Sequence, residues 1–349
     1  MVVGIAIPLW AAVQLSPAQV RALVAQLASL KLSNAPLSVP QAAWIKTRLA
    51  QLADTGTNAV PAIQDFLARN QDLYFDSPGS AALVGAPSLR VALFELLGSL
   101  GSPPALALLK SSLRSTADPV ELATLARLIE RAEPTRHHAE FAGAARDTLT
   151  LAATGKWDGR DVAPLFEMLL EFGGTNVAPE LERHAERWIH YAPLMLLHLP
   201  ESAGIPALLR LARKPEAGTR AGRPVYLRLL AETALAQASA ADELHSQTRT
   251  DKIEAGAWPG IAAALEGKTL QLVNPILTEA TATNTPLLVG GAGQEQVREI
   301  PPPDSASANE LGQRIRLVDR LLEATSNPAA LDALEAARIR LSERLSRTK

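Results

Sequence analysis

The sequence contains 349 residues with a formal net charge of −2, and 47% of the residues are hydrophobic although only 4% are aromatic. The balance of 34 basic and 36 acidic residues excludes an overall field that would hold the chain on nucleic acid or on an anionic membrane, so only a local basic patch could do so. The absence of cysteine excludes disulfides, thiolate metal sites and cysteine nucleophiles. The core must therefore come from Leu, Ala and Val, which suits many interlocked helices.

Residues 1–15 form an apolar N-terminal segment. The uncharged run VVGIAIPLWAAVQL follows Met1 and is shorter than the roughly 20 residues that span a bilayer. It is typical of the apolar region of an export signal, although the usual basic residues do not precede it, and it fits an apolar first helix equally well. We therefore expect a protein that is either exported to the envelope or cytoplasmic, with no transmembrane span.

The stretch from Ala86 to Leu113 predicts a helical hairpin. Apolar residues recur at three-and-four spacing before Gly101, and Pro103-Pro104 open a second periodic run, where a missing N–H costs nothing. The same pattern returns along residues 16–267. Counted from each helix-starting proline, positions +2 and +5 are apolar in five copies: Ile63 and Phe66, Leu106 and Leu109, Phe166 and Leu169, Leu208 and Leu211, and Ile261 and Ala264.

Three pieces of this region, NAVPAIQDFL, LLGSLGSPPALALL and AGIPALLRLA, resemble the second helices of HEAT repeats. Pro61 and Pro104 lie 43 residues apart and Pro164 and Pro206 lie 42 apart, close to the roughly 40–47 residues of HEAT and armadillo units. The resemblance covers about two thirds of the chain. It implies an all-α fold, a right-handed α-α superhelix, to which the residues after Gly267 add an irregular insert and a C-terminal helical hairpin.

Two loops interrupt the repeats. Residues 70–87 carry Tyr74 and Phe75, which either anchor the loop under a neighbouring helix or bind a partner. Residues 214–224 form a small basic loop with Lys214, Arg220 and Arg223, which is either a solvated turn or a second contact for a partner.

The pattern changes after Gly267. Residues 268–308 are rich in Pro and Gly, with short apolar pieces at 270–273 and 287–289, and they predict an irregular linker or one small β-hairpin. Residues 309–349 return to helical periodicity and predict a C-terminal helical hairpin. This hairpin could cap the repeats or pair with another chain.

No motif assigns a catalytic, cofactor-binding or metal-binding residue. The run AAALEGKT at 262–269 matches a loose P-loop, but it lacks a preceding strand, and Gly267 stands where a helix should end. His184 shares a helix face with Glu180, as metal ligands can, yet it occupies a core-facing position and is interpreted as a core histidine. His137 and His138 begin a helix and are predicted to face solvent.

These observations favour a non-catalytic scaffold or adaptor that holds a protein or peptide on the concave face of a HEAT-like solenoid. Tyr74, Phe75, Arg220 and Arg223 are the candidate contact residues. The alternative is a HEAT-like enzyme or nucleic-acid-acting protein, because some proteins of this architecture are DNA glycosylases, which use tryptophan, an acid and arginines in a basic groove, and others are bilin lyases. The apolar N-terminus also leaves open a structural component of the envelope.

Overall fold

The computed structural model describes residues 15–31, 36–75, 77, 79–154, 160–214, 222–273, 275–278, 287–290 and 295–348. Apart from Leu15, the predicted N-terminal segment lies outside them. Within them the chain is predominantly helical, as predicted. The helices are α1 Pro17–Ala28, α2 Val39–Asp54, α3 Val60–Leu67, α4 Ser80–Val84, α5 Leu89–Leu100, α6 Pro103–Leu113, α7 Pro119–Ala132, α8 His138–Ala153, α9 Ala163–Phe172, α10 Ala178–His184, α11 Tyr191–His198, α12 Ile205–Arg213, α13 Arg223–Thr233, α14 Ala238–Arg249, α15 Trp258–Leu265, α16 Ala308–Leu322 and α17 Pro328–Arg347.

Proline and short polar side chains set where many of these helices begin. Proline occupies the first or second position of eleven of them, from α1 to α17. Ser16 and Ser38 close capping boxes at α1 and α2, and Asp118 and Asn327 accept N–H bonds at the starts of α7 and α17. Of the ten frame positions predicted to face the core, only Leu106 is not buried.

The chain divides into two compact units, Met1–Glu140 and Phe141–Lys349. In the first unit the principal helix contacts join α1 to α2 and α3, α2 to α4 and α5, α3 to α5 and α6, and α5 and α6 to each other and to α7. Each helix therefore packs on helices one to three places away along the chain.

A buried ion pair fastens α5 to α7 in this unit. Arg90 donates from Nε and Nη2 to the two carboxylate oxygens of Glu121, at 2.6 and 3.0 Å, and from Nη1 to the carbonyl of Leu67 at 3.1 Å. The hydroxyl of Thr116 donates to Glu121 Oε2 at 2.7 Å. Both charged side chains are almost fully enclosed, at 8% and 4% exposure, so the pair is held by several charge-assisted bonds rather than by solvent.

The second unit repeats this neighbour packing. Its principal helix contacts join each helix from α9 to α17 to helices one or two places away. Ion pairs with N–O distances of 2.8, 2.6 and 2.6 Å connect α8 to α10, α10 to α12 and α12 to α14, through Arg146–Glu180, Arg210–Glu182 and Arg213–Glu243. At Gly204, before α12, any side chain would meet the backbone of Leu196 on α11, so only glycine permits this close approach.

The segment 268–308, predicted to be an irregular linker or one small β-hairpin, contains a three-stranded antiparallel sheet. The strands are β1 Thr269–Leu272, β2 Leu287–Gly290 and β3 Glu295–Ile300, in the order β1-β3-β2. The two apolar pieces that suggested a hairpin do form strands, but both pair with β3 and not with each other, in the registers Leu272↔Val297 and Leu288↔Val297.

The described chain ends in α16 and α17, which pack against each other. Helix α16 also contacts α14 and α15, and α17 also contacts α15, so the hairpin covers the last helices of the second unit. Leu311, Val318, Leu334 and Leu341 are buried at these contacts. No helix among the residues described here is both long and apolar enough to cross a membrane.

Candidate functional sites

The two loop aromatics predicted to contact a partner have different environments in the first unit. Phe75 is 2% exposed and its N–H donates to the carbonyl of Pro87 at 2.8 Å, which closes the loop on itself. Tyr74 is 37% exposed and pairs with Ser88 in an isolated β-bridge. Burial thus gives Phe75 the anchoring position, while Tyr74 keeps an accessible ring and its predicted binding role stays a prediction.

A cleft in the second unit contains one of the two predicted basic residues. Its volume is about 530 Å³, and we call it the basic cleft, lined by Arg213, Lys214, Arg223, Asp251, Lys252, Ile253 and Glu254. The side chain of Arg223 is fixed by two neutral acceptors, the carbonyl of Ala212 at 3.1 Å and Oε1 of Gln247 at 2.7 Å. Arg220 lies outside the described residues.

Five acidic residues meet where the sheet lies on the helices of the second unit, and we call Asp161, Glu167, Glu232, Glu295 and Glu299 the carboxylate junction. Glu167 of α9 is 2% exposed and reaches the loop after β1, where it accepts from the N–H groups of Ile276 and Leu277 at 2.7 and 3.4 Å and from the hydroxyl of Thr278 at 2.8 Å. This carboxylate thus caps three donors more than a hundred residues away.

Glu295 of β3 makes the reverse connection. It is fully buried, and its Oε1 accepts from the N–H groups of His190 and Tyr191 at the start of α11, both at 2.9 Å. The first N–H groups of a helix have no partner within it, and they favour a carboxylate at that position. A helix carboxylate therefore binds N–H groups of the loop after β1, and a strand carboxylate binds N–H groups at the start of a helix.

Two further polar links complete the carboxylate junction. The hydroxyl of Tyr191 donates to Asp161 Oδ1 at 2.9 Å and accepts from the N–H of Gln296 at 2.7 Å. Glu299 of β3 lies 2.8 Å from Nη2 of Arg228 on α13 and 3.2 Å from Nζ of Lys268. Each acidic group in the set thus serves as an acceptor between two elements.

Burial shifts the titration of these groups away from ordinary values. Desolvation raises the pKa of Glu167, Glu295 and Asp161, although the hydrogen bonds they accept act in the opposite direction. Desolvation, with the nearby charge of Arg228, lowers the pKa of His190 to about 4, so His190 is neutral at physiological pH. A raised pKa is also typical of acid catalysts, but each of these three carboxyl groups accepts structural hydrogen bonds through at least one oxygen.

Glu232 on α13 should make stability depend on pH. Burial raises its pKa from 4.5 to about 7, while the Leu270 N–H and the charges of Arg228 and Arg314 partly oppose the shift. Because the folded pKa exceeds the unfolded one, this residue favours folding below pH 4.5 and loses that contribution as pH rises through 7. We expect the wild type to lose about 1–3 kcal/mol of unfolding free energy relative to Glu232→Gln between pH 5 and 8.

Urea unfolding of both proteins across this pH range measures that difference. The lowered pKa of His190 has the opposite sign, with stability lost as pH falls below about 6.5, but it is shared by both proteins and cancels in the comparison. Parallel pH profiles for the wild type and Glu232→Gln would show that Glu232 does not titrate in this way.

A second cleft, of about 320 Å³, lies beside the carboxylate junction. Leu170, Leu194, Met195, Leu270, Leu272 and Pro275 give it mostly apolar walls, and Glu167 and His198 contribute polar groups. The oxygens of Glu167 are already occupied by the loop after β1. Among the residues described around it, this cleft therefore offers a mostly apolar surface with the imidazole of His198 at its edge.

The histidine predictions have mixed outcomes. His184 is half-buried, with its ring centroid 5.2 Å from that of Trp188 and 6.3 Å from that of Phe166, so it packs at the edge of the core. The prediction that His137 faces solvent is wrong, since its side chain is 15% exposed and its ring nitrogens lie 2.6 Å from Glu133 and 3.2 Å from Glu140. His138, predicted to do the same, is 37% exposed. Lys110 and His137 together lower the pKa of Glu133 to about 2.

The loose P-loop match has no phosphate-binding geometry. Ala262–Leu265 belong to α15, Gly267 ends the helix with a φ of +97°, and Thr269 begins β1. Among the residues that the model describes, no group of three or more His, Asp or Glu could hold a metal ion.

The carboxylate junction was missed by sequence reasoning. The backbone N–H groups that bind Glu167 and Glu295 lie 104 to 110 residues from these acids, and the sequence does not indicate which backbone groups a carboxylate will bind. The available signal was Glu167 itself, a charge inside the apolar run APLFEMLLEF. A buried carboxylate in such a run needs a partner.

Comparison with known proteins yields no relative: no family model, no curated protein and no solved structure matches this chain.

Proposed function

We propose that this chain is a non-catalytic scaffold that binds a protein or peptide, with each unit built as a right-handed HEAT-like stack of helical pairs. The observation that carries the proposal is the packing order, in which every principal helix contact joins close neighbours along the chain. Such packing is typical of repeat proteins, whose stability is a sum of neighbour interfaces and whose extended surfaces hold partners.

The use of the buried acids supports a non-catalytic role. Glu167 and Glu295 accept from backbone N–H groups, Asp161 from a tyrosine hydroxyl, and Glu299 pairs with Arg228. A general acid or base must reach a substrate proton. These carboxylates instead hold the sheet on the helices.

A glycosylase-like alternative gains no support from the tryptophans. Trp188 and Trp258 are 3% and 1% exposed and pack in the core of the second unit, so neither ring lines a groove. Trp157 lies outside the described residues. Trp44 is half-buried and lies under the guanidinium of Arg48, with 5.3 Å between Cζ and the ring centroid. A single arginine beside a tryptophan does not make a basic groove.

Selection of a short-peptide library on the immobilised full chain tests the scaffold function. We expect enrichment of related sequences whose synthetic versions bind one to one and saturably, measured by fluorescence anisotropy. Selection that enriches no sequence, together with turnover of a substrate by the purified chain, would overturn the proposal.

A further inference from the structure

We infer that the basic cleft is the peptide-binding surface and that it recognises a mixed-charge segment, in which an acidic residue binds Arg223 and a neighbouring basic residue binds Glu254. This inference rests on the proposed function and deepens it. It depends on which charged side chains of the cleft already have partners within the chain and which do not.

Two of the four cations lining the basic cleft already have acidic partners. Arg213 lies 2.6 Å from Glu243 and Lys214 lies 3.6 Å from Glu186. Arg223 differs, because no carboxylate among the described residues lies within 4.0 Å of it, and its two partners are a carbonyl and an amide. Lys252 also lacks an ion pair among the described residues, but only the charge of Arg223 is held in a fixed orientation by two such acceptors.

The fixed geometry of Arg223 suits carboxylate recognition. A guanidinium has five N–H donors, and Arg223 uses one on Nε and one on Nη2. Three donors remain, two on Nη1 and one on Nη2. Nη1 and Nη2 can therefore bind a carboxylate through two parallel hydrogen bonds. Since the side chain is already held in place, little rotamer entropy is lost when a ligand binds.

The acidic residues of the basic cleft select against a uniformly negative ligand. Asp251 accepts from the amide of Asn327 at 3.0 Å, whereas the carboxylate of Glu254 has no partner in the described part of the chain. Glu254 would repel a nucleic-acid backbone and attract a lysine or arginine. The fixed cation Arg223 and the open anion Glu254 therefore fit a segment with both signs, which a protein partner supplies.

The peptides selected on the wild-type chain provide the test. We expect them to carry an acidic and a basic residue close together, and we expect Arg223→Gln to weaken binding about ten- to hundredfold, the range of a lost charged hydrogen bond. Arg131→Gln is the matched control, because Arg131 is exposed on α7 in the first unit and the substitution makes the same chemical change. Thermal unfolding of both variants checks that they fold.

Peptide-side changes keep the test independent of folding. Replacing the acidic peptide residue by Gln should weaken binding to the wild type and make no further difference to Arg223→Gln, and the basic residue should show the same coupling to Glu254→Gln. Selected peptides without acidic residues, or with affinities unchanged by Arg223→Gln, would overturn this inference and leave the scaffold function standing. Binding of single-stranded DNA that depends on Arg223 would also overturn it.

Discussion

Replacing Arg90 by Met should lower the unfolding free energy of the first unit by about 3–5 kcal/mol, because it leaves the charge of Glu121 buried without its partner. Glu121 is enclosed to 4% exposure, and Thr116 alone cannot neutralise it. Urea unfolding of the full chain measures the loss. Hydrogen exchange of α5 and α7 shows whether it is confined to this unit, as two units need not unfold together.

The same pair of helices provides the control. Arg127 on α7 pairs with Glu95 on α5, and both side chains are 38% exposed. Arg127→Met should cost less than about 1 kcal/mol, because an exposed ion pair gains little and is screened by solvent. The double variant Arg90→Met with Glu121→Leu should recover much of the loss, since neither charge then remains buried. Equal effects of Arg90→Met and Arg127→Met would contradict this account.

Glu295→Ala should be the second large effect, costing about 2–5 kcal/mol. It leaves the N–H groups of His190 and Tyr191 buried without an acceptor, at about 1–3 kcal/mol for each group. The amides at the start of α11 should also exchange faster with deuterium, which identifies the lost cap.

Glu295→Gln separates the acceptor from the charge. The amide keeps a carbonyl oxygen that can accept both N–H bonds, and burial already raises the pKa of Glu295 and disfavours its charged form. We therefore expect a loss of no more than about 1 kcal/mol. Glu335→Ala, at an exposed position of α17, is the control for carboxylate removal. A loss from Glu295→Gln as large as that from Glu295→Ala would show that charge, and not hydrogen bonding, secures α11.

Sequence periodicity predicted the helices because it reflects a local requirement. Ile63, Phe166 and Leu208 occupy the same position after a proline, and a helix starting there must turn that position toward its neighbour. Strand β3 was missed because EQVREI contains charged side chains, Glu295 among them, that are held inside only by partners elsewhere in the chain. Local patterns cannot indicate such partners.

In the candidate sites, too, local features could be predicted from the sequence and contacts with distant residues could not. The basic character of Arg223 was visible in the sequence, but its isolation from acidic partners was not, because Arg213 and Arg223 look alike until Glu243 is placed beside one of them. The burial of Phe75 likewise follows from closure of the loop on Pro87, a contact that composition does not predict.

The hydrogen bonds that Glu167 and Glu295 make between the helices and the sheet region have a consequence for biosynthesis. The start of α11 leaves the ribosome about a hundred residues before Glu295, since the two lie 104 and 105 positions apart. Until then its first amides have no acceptor from β3, and the loop after β1 depends in turn on Glu167. The second unit therefore completes these contacts only after β3 has been translated, so truncation before β3 should yield nascent chains that depend on chaperones.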